Sequence, residues 1–354
     1  MTAPGWGDDR SRPPSPPPAP DGSSPDDDRE LAPVDEGPPG VGTFSLEGRR
    51  APGLYLAAWL LIGSGLLLAF LIGPMASSDT AGLALVIFGV VLATLGFAAA
   101  AGAQVMERQD RHPPRYRGPS PVLTFLAYLF AVSLIGFGAV ALGYDGTEEA
   151  LAFAVIGVIQ VVAYVAVVWI FAVRTGALSW PDMGWPTWNG SEPGQVVGAV
   201  VWSAFLMVPV TFGVLILGGL IGTLLDAEAP NVLPPMESSI DVVLVLIGAA
   251  LLAPIGEEIL FRGLALTAWR RDLGDRSALI RSSVFFAAVH LLNIPATDAA
   301  GGVSQAVLTV AVLLPVGFAL GWMFLRRGLA GAISAHATYN FILLILLLVA
   351  GDVA

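Results

Sequence analysis

The stretch IDVVLVLIGAALLAPIGEEILFR at 240–262 decides how this chain folds. It is long enough to cross a bilayer, which takes about 20 apolar residues in a helix. Near its end it carries Glu257, Glu258 and Arg262 among leucines and isoleucines. Ionisable groups inside a membrane segment are costly, so these three residues are candidates for a function.

The composition of the whole chain is also typical of a membrane protein. Of its 354 residues, 55% are hydrophobic and 13% are charged, whereas an average soluble domain is about 25% charged. The formal charge of −11 does not suggest nucleic-acid binding, because that function requires a basic face. We therefore expect the lipid bilayer to be a partner, and nucleic acid not to be one.

Long apolar runs alternate with short polar gaps from Leu54 onward, and nine of the runs are candidate membrane helices. They cover 54–75, 80–104, 120–143, 149–173, 196–225, 240–262, 278–294, 304–325 and 329–350. The sequence thus predicts an all-α, polytopic membrane protein with about nine transmembrane helices.

The chain is predicted to have three parts. Residues 1–50 are rich in Pro and Asp and should be a disordered tail, because they cannot bury enough apolar surface to offset their ordering entropy. Residues 51–175 would be four accessory transmembrane helices, and residues 195–350 would be the functional core.

The arginines predict how the chain is oriented. They occur at every second gap between the apolar runs, as at Arg108, Arg174 and Arg270, while the other gaps carry acidic residues and no arginine. Loops rich in arginine stay on the cytoplasmic side. We therefore expect a multi-pass protein of the cytoplasmic (inner or plasma) membrane, with a cytoplasmic N-terminus and an external C-terminus.

Two more polar motifs lie in later apolar runs, Phe286-x-x-x-His290 and His336-x-x-x-Asn340. At 1.5 Å per residue, Glu257 lies about 8 Å from the cytoplasmic end of its helix, and each histidine lies about 14 Å from that side. We therefore expect the carboxylate and the two imidazoles to meet at a similar depth.

Residues four apart share one face of a helix. Glu258 can therefore pair with Arg262, whereas Glu257 points about 100° away and stays free for another partner. By the same spacing the Phe286 ring can cover one side of His290. The structural alternatives are a helix-end ion pair for Glu258 and histidines bonded to backbone carbonyls.

His336 and Asn340 also share a face, so both could reach one substrate atom. The alternative for Asn340 is that its amide joins two helices, as amides do in membranes.

The three motifs, in this order and spacing, resemble those of the CAAX prenyl protease type 2 and bacteriocin-processing (CPBP, or Abi) family of intramembrane proteases. The resemblance covers about 195–350. It implies an endopeptidase that cleaves a membrane-protein or lipidated peptide substrate.

The resemblance also implies roles for individual residues. Glu257 would activate water with help from His290, Glu258 would belong to the same catalytic set, and His336 with Asn340 would hold the substrate carbonyl or its oxyanion.

Two questions stay open at the level of sequence. Glu257, His290 and His336 could ligate zinc or another divalent metal, but a metal-free glutamate mechanism would use the same residues. The alternative function is a non-catalytic membrane immunity protein, scaffold or transporter that keeps these residues as a binding site.

Overall fold

The computed structural model describes residues 45–142, 149–186, 193–228, 233–294 and 299–350. The predicted disordered tail at 1–50 lies almost wholly outside these residues. Residues Leu46–Ala354 form one compact unit. Within the described ranges the secondary structure is helical and contains no strand, which confirms the predicted all-α fold.

Eight helices follow one another along the chain, and several contain short π-helical or 3-10 stretches. They are α1 (Pro52–Met75), α2 (Asp79–Glu107), α3 (Pro121–Ala141), α4 (Ala150–Val173), α5 (Pro193–Leu225), α6 (Ser239–Leu273), α7 (Asp275–His290) and α8 (Ala299–Ala350). All except α7 are long and apolar enough to cross a membrane. The chain is therefore a multi-pass membrane protein with seven candidate spans in its described part, and the predicted count of about nine is not confirmed.

Helix α7 explains part of this difference. The sequence predicted a span over 278–294, but α7 is only 16 residues long. At 1.5 Å per residue it extends about 24 Å, less than the roughly 30 Å of a hydrocarbon core. Its first turns also carry Asp275, Arg276 and Arg281, which lower its hydropathy.

Helix α8 explains the rest, because Gly328 interrupts it with a φ of 71° and a ψ of −170°. A straight helix would separate Gly317 from His336 by about 28 Å. Instead, the Gly317 carbonyl lies 3.2 Å from Arg262 Nη2, and His336 lies 2.8 Å from Glu258, which itself pairs with Arg262. The chain thus folds back at Gly328 into a first arm, 299–327, and a second arm, 329–350.

Helix α6 lies at the centre of the bundle. Every residue of its 258–268 segment is buried, as expected for a helix that is enclosed on all sides by protein. Its buried residues share one hydrophobic cluster with side chains from α3, α4, α5, α7 and α8. Two of the predicted accessory helices, α3 and α4, therefore pack directly on the helix that carries the first motif.

Helices α1 and α2 pack together at the side of this bundle. A Cβ added at Gly65 would lie 2.5 Å from the Ala93 nitrogen, and one at Gly89 would lie 2.6 Å from the Ala69 nitrogen. Glycines at such positions let two membrane helices approach closely. The pair contacts α3 through a second, smaller cluster.

Several loops that carry arginine meet at one end of the molecule. Arg111 pairs with Asp272 at 3.1 Å, and the Asp272 carboxylate also accepts from the Tyr116 backbone at 3.0 Å. Burial raises the pKa of the Tyr116 phenol well above its usual range. Burial also lowers the pKa of the Arg108 guanidinium. These contacts join the α2–α3 loop to the end of α6.

The loop after α4 joins the same end. Arg271 binds Asp182 at 2.8 Å, and the Leu329 backbone N–H donates to the Gly184 carbonyl at 3.1 Å. Partial burial would raise the pKa of Asp182, but hydrogen bonds from Ser179 and the charge of Arg271 outweigh it and hold that pKa below its usual value. The turn at Gly328 is thus held against the loop that follows α4.

Candidate active site

The first motif lies on a short α-helical stretch of α6, Ala253–Glu258. The stretches on either side, Leu246–Leu252 and Ile259–Leu266, are π-helical. In a π-helix the backbone N–H donates five residues back, and such segments are frequent at functional sites. Pro254 lies at the beginning of the α-helical stretch, next to the point where the helical register changes.

Pro254 also leaves one backbone carbonyl without its helical partner. Ala253 N–H donates to the Gly248 carbonyl, so the next bond in this register would run from residue 254 to the Ala249 carbonyl. Proline has no N–H to give. Asn340 Nδ2 donates to the Ala249 carbonyl instead, at 2.8 Å.

Glu258 is the centre of a buried hydrogen-bond network. Its Oε1 accepts a hydrogen bond from Arg262 Nη1 at 2.8 Å. The same oxygen lies 2.8 Å from His336 Nδ1. The side chains of Glu258 and Arg262 are both 0% exposed. Arg262 also donates to the Gly317 carbonyl, so this pair ties α6 to both arms of α8.

Glu257 faces the two imidazoles. Its Oε2 lies 3.8 Å from His290 Nε2 and 3.9 Å from His336 Nε2. These distances are longer than a direct hydrogen bond. They are shorter than the maximum span of two hydrogen bonds through one bridging water, which is about 5.6 Å. Among the described residues, the buried Oε2 has no hydrogen-bond partner. A single water molecule could therefore contact all three side chains.

The protonation of both rings follows from their other contacts. His290 Nδ1 lies 2.8 Å from the Phe286 carbonyl, which only accepts, so Nδ1 carries a proton. His336 Nδ1 donates to the Glu258 carboxylate by the same argument. In the neutral rings each Nε2 then presents a lone pair toward Glu257. Such a contact to the second ring nitrogen is how proteins fix the orientation of a functional imidazole.

Phe286 packs against both imidazoles. Its ring centroid lies 4.5 Å from that of His290 and 5.7 Å from that of His336. The Arg262 guanidinium carbon lies 4.4 Å from the same ring centroid. Phe286 is itself buried, so it keeps water from one side of the charged groups.

A divalent metal fits this donor set by chemistry but not by spacing. Two Nε2 lone pairs and a carboxylate are common zinc ligands, and bonds of about 2.0–2.1 Å would place tetrahedral donors about 3.3 Å apart. The distances from Glu257 to the two rings are longer than that. In the described ranges, no group of three or more histidines and carboxylates meets the spacing of a metal site. The predicted metal site at Glu257, His290 and His336 thus stays a prediction.

The structure adds two tyrosines that the sequence analysis missed. Tyr128 of α3 and Tyr164 of α4 are stacked, with ring centroids 3.8 Å apart and planes 15° apart. Both side chains are buried inside the bundle. The Tyr164 ring packs on Gly256, where an added Cβ would lie 2.6 Å from Tyr164 Cδ2. Two aromatic residues in separate apolar runs give no motif in the sequence.

The structure therefore brings the predicted site residues of three helices together. Glu257, Glu258 and Arg262 come from α6, and His290 with Phe286 comes from α7. His336 and Asn340 come from the second arm of α8, although Asn340 is bonded to α6.

Comparison with known proteins identifies the same region. Residues 239–342 match the model of the Rce1-like type II CAAX prenyl endopeptidase family. The match begins with α6 and ends in the second arm of α8, so it contains all three motifs. No curated protein and no solved structure matches the chain.

The match to this family supports the function of a membrane endopeptidase. It also suggests that the substrates are membrane-embedded peptides. It also agrees with the resemblance that the three motifs predict. Residues 239–342 of this multi-pass membrane protein thus match an Rce1-like type II CAAX prenyl endopeptidase domain, which is consistent with a protein of the CPBP family.

Proposed function

We propose that the chain is an intramembrane endopeptidase in which Glu257 activates the water that attacks a peptide bond. The observation that carries this proposal is the approach of the Glu257 carboxylate to two imidazole Nε2 atoms, at 3.8 and 3.9 Å. A general base needs to reach its proton directly or through one water. Oε2 of Glu257 has no hydrogen-bond partner among the described residues, so it can accept a hydrogen bond from that water.

The first step would be the attack of water on the carbonyl carbon. Glu257 takes one proton from the water as its oxygen bonds to that carbon, and the carbonyl oxygen becomes an oxyanion. His290 supports this step, because its Nε2 lone pair can accept the second hydrogen of the water. The fixed Nδ1–H···O bond to Phe286 holds the ring in this orientation.

The second step would break the carbon–nitrogen bond. The proton held by Glu257 passes to the departing amine, and the oxyanion collapses to a carboxylic acid. The acid then gives its proton to the released amine and becomes a carboxylate. His336 Nε2 lies 3.9 Å from Glu257 Oε2 and can stabilise the oxyanion when both nitrogens of the ring carry protons. The Glu258–Arg262 pair positions this ring by accepting its Nδ1–H.

Asn340 supports the proposed site through the backbone of α6. Its Nδ2 donates to the Ala249 carbonyl that Pro254 leaves unpaired. We therefore infer that Asn340 is first a positioning residue for the segment that carries Glu257. Any contact with the substrate would use its other polar atoms.

The test compares membranes that contain the wild-type protein with membranes that contain Glu257→Gln. The substitution keeps size and hydrogen bonding but removes the basic carboxylate, so fragments produced by the wild type should be absent from the variant. Glu237→Gln is the matched control, because Glu237 is exposed and lies in the segment before α6. Identical fragments in wild type and Glu257→Gln would favour the non-catalytic alternative.

A further inference from the structure

The position of His290 depends on the angle at which α7 lies on α6. Gly274 alone separates the two helices in sequence, and its φ is 79°. His290 is the last residue of α7, about 24 Å from Gly274 at 1.5 Å per residue. A rotation of α7 by about 3° at the Gly274 end would therefore move His290 by about 1 Å, and a shift of that size can cost about a hundredfold in rate.

A buried hydrogen bond joins α7 to α6 between these two ends. Ser282 is 1% exposed, and its Oγ donates to the Phe261 carbonyl at 3.0 Å. Phe261 precedes Arg262, which binds Glu258. The bond therefore ties α7 to the segment of α6 that holds the polar network of the site.

Ser282 lies on the face of α7 that carries the site. Ser282, Phe286 and His290 are spaced four residues apart, and residues at this spacing share one face of a helix. The Phe286 ring packs on that of Phe261, with centroids 5.3 Å apart, and His290 faces Glu257. The three residues thus contact α6 in succession from the middle of α7 to its end.

The neighbouring serine makes a different kind of hydrogen bond. Ser283 donates to the Leu279 carbonyl at 2.8 Å, four residues back in its own helix. Such a bond satisfies the hydroxyl without joining two helices. Ser282 instead bonds a second helix, as polar side chains do where membrane helices are held together. The simpler alternative is that this bond stabilises the packing of the two helices and has no effect on the site.

We propose that Ser282 is a positioning residue that fixes the angle of α7 on α6, and through it the distance between His290 and Glu257. The inference rests on the proposed function of Glu257. Ser282 belongs to none of the three motifs, and its bond lies about 12 Å along α7 from His290. It can restrain the rotation of α7 because it holds the helix midway between Gly274 and His290.

The experiment first uses membranes with the wild-type protein to identify a protein whose cleavage is lost in Glu257→Gln. A peptide that spans the identified cut is then the substrate for the purified full-length chain. Ser282→Ala removes the hydroxyl and keeps the Cβ. We expect kcat to fall on the order of tenfold, with KM within about twofold of wild type, as for a misplaced catalytic group.

Ser283→Ala is the matched control. Ser283 is 0% exposed and is next in the sequence, but its hydroxyl bonds its own helix. Ser283→Ala should keep the wild-type kcat, and the two alanine variants should have similar melting temperatures.

A double variant tests whether Ser282 acts through His290. In the proposed mechanism His290 assists Glu257, so His290→Ala should keep a measurable residual rate. Adding Ser282→Ala to His290→Ala should then lower the rate by less than about twofold, because the ring that Ser282 positions is already absent.

The outcomes distinguish this inference from the proposed function. Equal kcat values for Ser282→Ala and Ser283→Ala would overturn the positioning role and leave the endopeptidase standing. A loss of about tenfold from Ser282→Ala in the His290→Ala background would do the same, because the effect would not pass through His290. If no cleavage depends on Glu257, the proposed function fails, and the inference fails with it.

Discussion

The Nδ1 atom of His336 lies 2.8 Å from Oε1 of Glu258. The same oxygen accepts from Arg262, one turn along α6. One carboxylate oxygen therefore holds a guanidinium of its own helix and an imidazole from the second arm of α8. This arrangement suits a residue that orients His336, and it leaves Glu257 as the carboxylate that is free to act as a base.

The first prediction concerns the stability of this buried pair. Glu258→Gln leaves the Arg262 guanidinium buried without its counter-ion, and removing one partner of a buried pair costs about 3–5 kcal/mol. We expect a comparable loss in the free energy of unfolding in detergent. The double variant Glu258→Gln/Arg262→Met should lose less than the sum of the single variants, because its unpaired charge is gone.

The exposed pair Arg270–Asp275 provides a control for that experiment, because its side chains are 51% and 60% exposed. Asp275→Asn should change the free energy of unfolding by less than about 1 kcal/mol. Equal losses for Asp275→Asn and Glu258→Gln would contradict the central role of Glu258.

The second prediction concerns the turn at Gly328. Its φ of 71° is favourable only for glycine, and an added Cβ would lie 3.1 Å from the Gly184 carbonyl oxygen. Gly328→Ala should destabilise the protein by about 1–3 kcal/mol and lower activity, because the second arm carries His336. Thermal unfolding measures the loss of stability, and the Glu257-dependent cleavage of proteins in membranes measures the loss of activity.

Gly213→Ala is the matched glycine substitution. A Cβ at Gly213 meets no atom within 4 Å, and the residue lies inside helix α5. Alanine there should be neutral or slightly stabilising, since it is the better helix former. A Gly328→Ala protein as stable and active as Gly213→Ala would show that the turn does not require glycine.

The third prediction concerns metal. Because the donors at Glu257 are spaced more widely than zinc ligands, we expect purified active protein to contain well below one equivalent of zinc. Chelators should leave cleavage unchanged at matched pH. One equivalent of metal, with activity lost on chelation and restored by the ion, would instead support the ligand set Glu257, His290 and His336.

The fourth prediction concerns orientation in the membrane. The loops that contain Arg111, Arg271 and Gly328 meet at one end of the molecule, in agreement with the alternation of arginines along the sequence. A reporter fused after Gly118 should therefore be cytoplasmic, and one fused after Ala354 should be external. The prediction requires an odd number of membrane crossings between Gly118 and Ala354. Reporters on the same side would show that this number is even.

The sequence was sufficient for much of the fold because apolar runs and i,i+4 spacing are local properties. They predicted five long helices before the first motif, and they predicted that Glu257, His290 and His336 would approach each other. The apolar runs also predicted two separate helices, 304–325 and 329–350, with a gap near Gly328, where α8 folds back.

The remaining features depend on contacts between distant segments. The count of nine spans treated α7 as a full crossing, although its charged first turns shorten its apolar part. The π-helical register of α6 occurs where Asn340 binds the Ala249 carbonyl, and the tyrosine pair lies where Tyr164 packs closely on Gly256. None of these contacts produces a periodic pattern in one segment.

The i,i+4 spacing of Glu258 and Arg262 also has a consequence for biogenesis. The ribosome delivers α6 before α7 and α8, so these residues enter the bilayer before His336 and the Gly317 carbonyl exist to bind them. An isolated charge at that depth costs several kcal/mol. Since both partners belong to one helix, their charges are already compensated during insertion. Helix α8 then completes the polar network around Glu258 and Arg262, the two charged residues that would be costly to insert singly but that enter the bilayer as a neutral pair.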